Sequence, residues 1–290
     1  MNFCASFLSD TGIQKQTNQD ALTLIRIRSA PEEMLLAVLC DGVGGMKSGE
    51  QASAAVCSAF RDWFHEKASP LYAMDDPMST IFSDWEQLIQ ALHLDLKKTS
   101  ESAGFRMGTT VEALLLLHDK YYICHVGDCR VYALDETLNQ LTHDHSVVQR
   151  EIDEGRLTPK QAQSDLRQNL LLQCIGSGSS VQPDFLCGAI QPQQRFLVCC
   201  DGFRRRVSDA EISTACKNAS PHERSLKSAL CSVTDLCKKR REPDNISSIL
   251  IHVNPDKPQL IERLCSMLQR GKHRSGFRVK QDVLEQHSQR

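Results

Sequence analysis

At 290 residues and 41% hydrophobic, the chain is long enough to bury one large core with a short extension. A formal net charge of −2 argues against a nucleic-acid-binding surface covering the whole molecule. No apolar run reaches the length of a membrane span, and Met1-Asn2-Phe3-Cys4-Ala5-Ser6 lacks the basic-then-apolar layout of a secretory signal, so the expectation is a cytoplasmic protein.

Residues 1 to 30 read as an opening strand pair, joined by the loop from Asp10 to Asp20. Leu35 to Cys40 is a continuous apolar strand, expected to be buried on both faces. From Gly49 the period changes, and Ala52, Ala55, Val56, Ala59, Phe60, Trp63 and Phe64 share one helical face. A second amphipathic helix carries Ile81, Trp85, Leu88, Ile89, Leu92 and Leu96. Both aromatic stripes are read as core packing.

Strands return at Thr109 to Leu117, Tyr121 to Gly127 and Arg130 to Leu134, the first two joined by a tight turn and therefore antiparallel. Helical pieces follow near Val147 to Glu154 and after Thr158-Pro159-Lys160-Gln161, which combines a Thr cap, Pro at the first position and Gln at the third. Phe196 to Cys200 is another buried strand, Ser208-Asp209-Ala210-Glu211 a capping box, Leu226 to Arg240 a longer helix, and Ile246 to Val253 a closing strand. Strand pairs alternating with helix pairs suit two antiparallel sheets with helices outside them.

Beyond Pro255 the pattern shifts. Leu260, Ile261, Leu264, Met267 and Leu268 predict a short helix ended by Gly271, and a basic, poorly periodic run follows from Lys272 to Lys280. The expected division is therefore 1–254 as a catalytic domain and 255–290 as a short helix with a basic tail. A solvated tail is the plainer reading, and a docking segment for an acidic partner or a membrane surface the alternative. Thirteen cysteines contain no Cys-x-x-Cys pair; Cys40, Cys124, Cys199 and Cys200 sit inside apolar runs, as reduced thiols acting as small hydrophobes.

Four acidic residues stand at the edges of strand-like runs. Asp41 opens Asp41-Gly42-Val43-Gly44-Gly45, Asp201 opens Asp201-Gly202, Asp128 ends Tyr121 to Gly127, and Asp244 precedes Asn245 and the closing strand. Asp-Gly after a strand is usually an ordinary turn, but two such elements with a Gly-Asp and an Asp-Asn beside further strands point elsewhere. Clustered carboxylates raise each other's pKa unless a cation sits between them, and oxygen-only ligation favours Mg²⁺ or Mn²⁺ over Zn²⁺.

With these motifs in order, the chain resembles the metal-dependent (PPM, or type 2C) protein serine/threonine phosphatases, in particular their bacterial branch. The resemblance runs from about Ser9 to Val253 through Ser9-Asp10-Thr11-Gly12, Asn18-Gln19-Asp20, Asp41-Gly42-Val43-Gly44-Gly45 with Gly49-Glu50, Met107-Gly108-Thr109-Thr110, Gly127-Asp128-Cys129-Arg130, Asp144-His145-Ser146, Arg167-Gln168-Asn169, Asp201-Gly202-Phe203 and Asp244-Asn245. It implies an α+β fold, a β-sandwich of two antiparallel sheets flanked by helices on both faces, with a metal centre in a cleft at one end.

It further implies two Mg²⁺ or Mn²⁺ ions, whose water hydrolyses phosphoserine and phosphothreonine in proteins. Asp41 would bridge the ions, the Gly42 carbonyl would ligate the first, Asp201 and Asp244 the second, and Asp20 would hold a water from behind. Asp128 with Asp201 matches the residues of a third, weaker metal site in bacterial relatives, and residues 148–173 match a variable flap beside the cleft. His143 and His145 are read as local hydrogen-bonding groups. Three positions depart from the family pattern. Lys15 stands where an arginine often contacts substrate phosphate, giving a point charge without the bidentate fork. Gln19 replaces an acid, and Val43 stands where many eukaryotic members carry a histidine.

The expected function is that of a monomeric bacterial signalling phosphatase, opposed by a serine/threonine kinase of the same cell, with no nucleic-acid partner. Two alternatives share the fold: a catalytically weak phosphoprotein-binding module, motivated by Lys15 and Gln19, and a hydrolase of small phosphate esters.

Overall fold

The computed structural model describes residues 1–29, 32–43, 48–254 and 280–286. In chain order the elements are β1 (Asn2–Asp10), β2 (Asp20–Ser29), β3 (Glu32–Asp41), α1 (Gly49–Tyr72), α2 (Met78–Ala103), β4 (Val111–Leu117), β5 (Lys120–Val126), β6 (Arg130–Leu134) and β7 (Leu138–Gln140). There follow α3 (Val147–Asp153), α4 (Pro159–Ala162), β8 (Asp184–Ala189), β9 (Arg195–Cys199), α5 (Asp201–Arg204), α6 (Asp209–Asn218), α7 (Glu223–Lys239), β10 (Ile246–Asn254) and β11 (Lys280–Gln286).

The strands form two antiparallel sheets, ordered β1-β10-β9-β6-β7 and β11-β2-β3-β4-β5-β8. Strand alternation sorts the apolar residues into two cores. Leu35, Ala37 and Leu39 of β3 face the other sheet, joining Leu197, Leu250 and Ile251 in a core that α7 closes with Leu226 and Leu230. Leu36, Val38 and Cys40 of the same strand face outward onto Val56, Phe60 and Phe64 of α1 and Trp85 and Ile89 of α2. Helices therefore cover both outer faces of the sandwich, as the sequence pattern leads one to expect. The two capping boxes are present at α4 (Thr158 with Gln161) and α6 (Ser208 with Glu211).

Two features differ from the sequence reading. The opening strands do not pair with each other: β1 pairs with β10 and β2 with β3, so the loop between them crosses from one sheet to the other. A nine-residue gap looks like a hairpin, but partner choice is made by packing between segments more than 200 residues apart. In the tail, β11 adds to the edge of β2, with Lys280 opposite Arg28 and Gln286 opposite Leu22. The predicted helix over 260–268 lies outside the described residues. Among the described residues, no helix is long and apolar enough to cross a membrane.

Candidate metal centre

Sheet register brings the acidic residues to one end of the sandwich. Asp20, first in β2, pairs directly with Asp41, last in β3. Asp201 begins α5 just after β9, and Asp244 just precedes β10, the strand that pairs with β9. Asp41, Asp128, Asp201 and Asp244 line one cavity of about 280 Å³ together with Lys15, Val43, Thr110, Asn169 and Leu171. Asp20 lies behind it, 2% exposed.

The surrounding motifs fix the backbone around these carboxylates. The Thr110 hydroxyl accepts the Asp41 N–H at 2.9 Å, while the Thr110 N–H and the Thr109 hydroxyl both donate to the Asp41 carbonyl at 2.9 Å. Asn245 ties down the loop that carries Lys15: its Oδ1 accepts from the Gln19 N–H at 2.9 Å, and its Nδ2 donates to the Thr11 and Thr17 carbonyls at 2.9 and 3.2 Å. Two glycines are needed for close approach. A Cβ on Gly42 would stand 2.6 Å from the Gly49 carbonyl and 2.7 Å from that of Gln19. Gly12 has φ +80°, and a Cβ there would meet the Asp244 carbonyl oxygen at 2.2 Å.

The electrostatics are those of carboxylates short of counter-charge. Burial, reinforced by the neighbouring charges of Asp20, Asp128 and Asp244, pushes Asp41 well above the usual carboxylate range. Burial pushes Asp20 up to about 6; Ser247 and Cys200 soften the rise, although neither reaches it in hydrogen-bonding geometry. Asp128 is raised by burial, against the pull of Arg204. Both oxygens of Asp20 and Oδ1 of Asp201 are buried without a partner.

The donors fit a hard divalent cation in kind: all are oxygens, and Oδ1 of Asp201, like both oxygens of Asp20 beside them, lacks a hydrogen-bond partner. Among the described residues, no three His, Cys, Asp or Glu side chains close around a single point. Two cations share the centre with these acids. The Lys15 ammonium lies 2.9 Å from Asp244 Oδ1, and Arg205 contacts Asp201 Oδ2.

Arg204, Arg205 and the pairing of Asp144 escaped the sequence reading. Arg130 grips both oxygens of Asp144 at 2.7 and 2.8 Å, and Arg204 reaches the same carboxylate at 3.1 Å and the Asp128 carbonyl at 2.9 Å. The signal was present in Asp201-Gly202-Phe203-Arg204-Arg205, where a helix puts Arg205 four residues from Asp201. The two histidines act structurally. His143 pairs with Asp153 at 2.8 Å, and His145 meets Asp184, Gln173 and the Gly127 N–H.

A family model described as protein phosphatase 2C matches residues 12–250. The chain belongs to the protein phosphatase 2C family. Bacterial phosphatases are among its relatives. It is 30% identical over 213 residues to the protein phosphatase PhpP of Streptococcus pneumoniae, covering 71% of this chain and 81% of that one. It is 28% identical over 250 residues to the serine/threonine protein phosphatase PstP of Mycobacterium tuberculosis, covering 84% of this chain and 44% of that one. Among solved structures, the S. agalactiae serine/threonine phosphatase superposes with a TM-score of 0.75 at 26% identity, over 87% of this chain and all of that one. The catalytic domain of PstP in complex with two manganese ions gives a TM-score of 0.70 at 25% identity, over 88% and 100%. Two antiparallel sheets with outer helices are thus the phosphatase fold of this family.

Proposed function

We propose that this protein is a cytoplasmic phosphatase which removes phosphate from phosphoserine and phosphothreonine in proteins at a centre of two Mg²⁺ or Mn²⁺ ions. The reading is carried by the unpartnered buried oxygens of Asp20 and Asp201 beside a cavity walled by Asp41, Asp128 and Asp244. When bound, such ions supply an acidified water at neutral pH and neutralise the phosphoryl oxygens.

The chain's own residues then have separate tasks. Asp41, held by Thr109 and Thr110 through its backbone, would hold both ions. The Gly42 carbonyl would ligate the first ion, and Asp201 and Asp244 the second. Asp20, enclosed beside Asp41, would hold a water from behind. Lys15, at the cavity wall and one-third exposed, exchanges Asp244 for the incoming phosphate and binds it as a point charge. Val43 offers no proton, so the leaving alkoxide takes its proton from solvent in the open cleft. The natural counterpart is a serine/threonine kinase of the same cell.

Turnover of a phosphothreonine peptide and of an aryl phosphate, each with and without Mn²⁺, tests the reading. Mn²⁺-dependent release of phosphate from the peptide is expected. Turnover of the aryl ester alone would replace it with a small-ester hydrolase, and tight peptide binding without turnover with a binding module.

A further inference from the structure

Beneath the flap, a second cavity of about 450 Å³ adjoins the centre, and Asp128, Asp144, Asp201, Arg130, Arg204 and Arg205 all line it. The family resemblance would place a third, weaker ion here, between Asp128 and Asp201. The side chains argue otherwise, carboxylate by carboxylate. Both oxygens of Asp144 are taken by Arg130 and Arg204. Asp128 faces Arg204, whose Nη2 stands 4.0 Å from its Oδ2 and donates to its carbonyl at 2.9 Å. Asp201 Oδ2 is engaged by Arg205, which is anchored from behind by Glu242 at 3.2 Å, itself fully buried and also paired with Arg206 at 3.4 Å. Asp201 keeps only Oδ1 free, the oxygen the proposed second ion requires.

Charge leads to the same result. Three carboxylates meet three guanidiniums, and the exposed Asp209 at the rim brings an excess of one negative charge. A divalent ion would turn that into a net positive charge against largely buried walls, which is unfavourable. Guanidinium stays protonated throughout the working pH range, so the occupancy does not relax with pH.

We propose that Arg204 and Arg205 stand in the place of a third cation, so that the protein holds two divalent ions and no third. Arg205 is then a positioning residue: it fixes one oxygen of Asp201 and leaves the other aimed at the centre. The inference rests on the two-ion reading given above.

Mn²⁺ titration of the full chain by calorimetry, with the ions counted by native mass spectrometry, tests it. The wild type is expected to hold two ions into the millimolar range, and Asp128→Asn to leave the count and both affinities within about twofold. Arg205→Gln frees Asp201 Oδ2 and removes a positive charge, so the ion at Asp201 should bind roughly ten- to a hundredfold more tightly, the scale of changes to groups that hold a ligand. A third, weaker binding event should appear in that variant and vanish in Arg205→Gln/Asp128→Asn. Three ions on the wild type, with one lost in Asp128→Asn, would overturn the inference while leaving the two-ion centre intact. Fewer than two ions on the wild type would overturn both. If Arg205→Gln does not fold, the comparison of wild type with Asp128→Asn decides alone.

Discussion

Two groups of carboxylates, side by side at one end of the sandwich, behave in opposite ways. Asp20 and Asp41 in the candidate centre are raised by burial, the first to about 6, and the charge of Asp244 adds to the rise of both. Asp144 beneath the flap is 6% exposed, and burial should raise it too, yet Arg204 and Arg130 outweigh that and hold it below the usual range. Glu112 on β4 belongs with the raised group although it has a partner. Burial pushes it up to about 7, opposed by a single partner, His125, at 2.7 Å. Two guanidiniums reverse the effect of burial at Asp144, whereas a single imidazole does not at Glu112. Asp41, which no arginine or lysine among the described residues contacts, is the carboxylate most in need of the proposed ions.

The sharpest break of this comparison is loss of the uncompensated group. Asp41→Asn and Asp201→Asn should each abolish Mn²⁺-dependent phosphatase activity while leaving circular dichroism unchanged, since each removes a charged ligand from the proposed ions. Asp41→Asn should also raise the melting temperature of the metal-free protein, because it removes repulsion. Turnover like the wild type at saturating Mn²⁺ in either variant would sink the two-ion reading.

On the compensated side the effect is on stability. Asp144→Asn leaves Arg130 and Arg204 buried without their acid and should cost about 3–5 kcal/mol in urea unfolding. A loss under about 1 kcal/mol would mean that solvent reaches the pair and the contrast with Asp41 is overstated. Asp144 stabilises the fold above its unfolded pKa, and that contribution is lost as pH falls through its depressed folded value.

Lys15 belongs to both groups, since it is a protein cation on a centre carboxylate. Lys15→Ala should lower kcat/KM for a phosphothreonine peptide by about ten- to a hundredfold, corresponding to a charge-assisted hydrogen bond of ~1.5–3 kcal/mol. Lys15→Arg should preserve or improve the rate through two-pronged contact. An unchanged rate in Lys15→Ala would limit its role to Asp244.

The smallest expected effect lies at Glu112 and its partner His125. His125 is raised because the Glu112 carboxylate outweighs its burial, and Glu112 is raised by burial itself. Both hold protons more tightly when folded, so their contribution to stability is present at low pH. It is lost as pH rises, Glu112 through about 7 and His125 above its usual value. At saturating Mn²⁺, Glu112→Gln should flatten the fall in stability between about pH 5 and 8 relative to wild type. Parallel pH profiles would show that the pair exchanges no proton there.

Much of the architecture was legible in the chain because periodicity is local. The apolar run Leu35 to Cys40, the stripes from Ala52 to Phe64 and from Ile81 to Leu96, and both capping boxes all became the elements they predicted. The positions of Asp41, Asp128, Asp201 and Asp244 at strand edges were legible too, and the structure brings them to one cavity. Glu112 lies as a charge inside the apolar strand β4. Its partner His125 is identified only by the β4–β5 register, which sets the two residues opposite each other.

What the chain determined by itself is the inventory: strand and helix periods, the order of the motifs, and oxygen donors suited to a hard cation. These follow from residue type and short spacing, which act within a few covalent neighbours. Tertiary structure alone decided that β1 joins β10 rather than β2, that residues 280–286 lie along β2, and that Asp144 rather than Asp41 receives two guanidiniums. Those outcomes depend on which distant segments pack together. A carboxylate's charge, and so its chemistry, is set by the cation that packing places beside it.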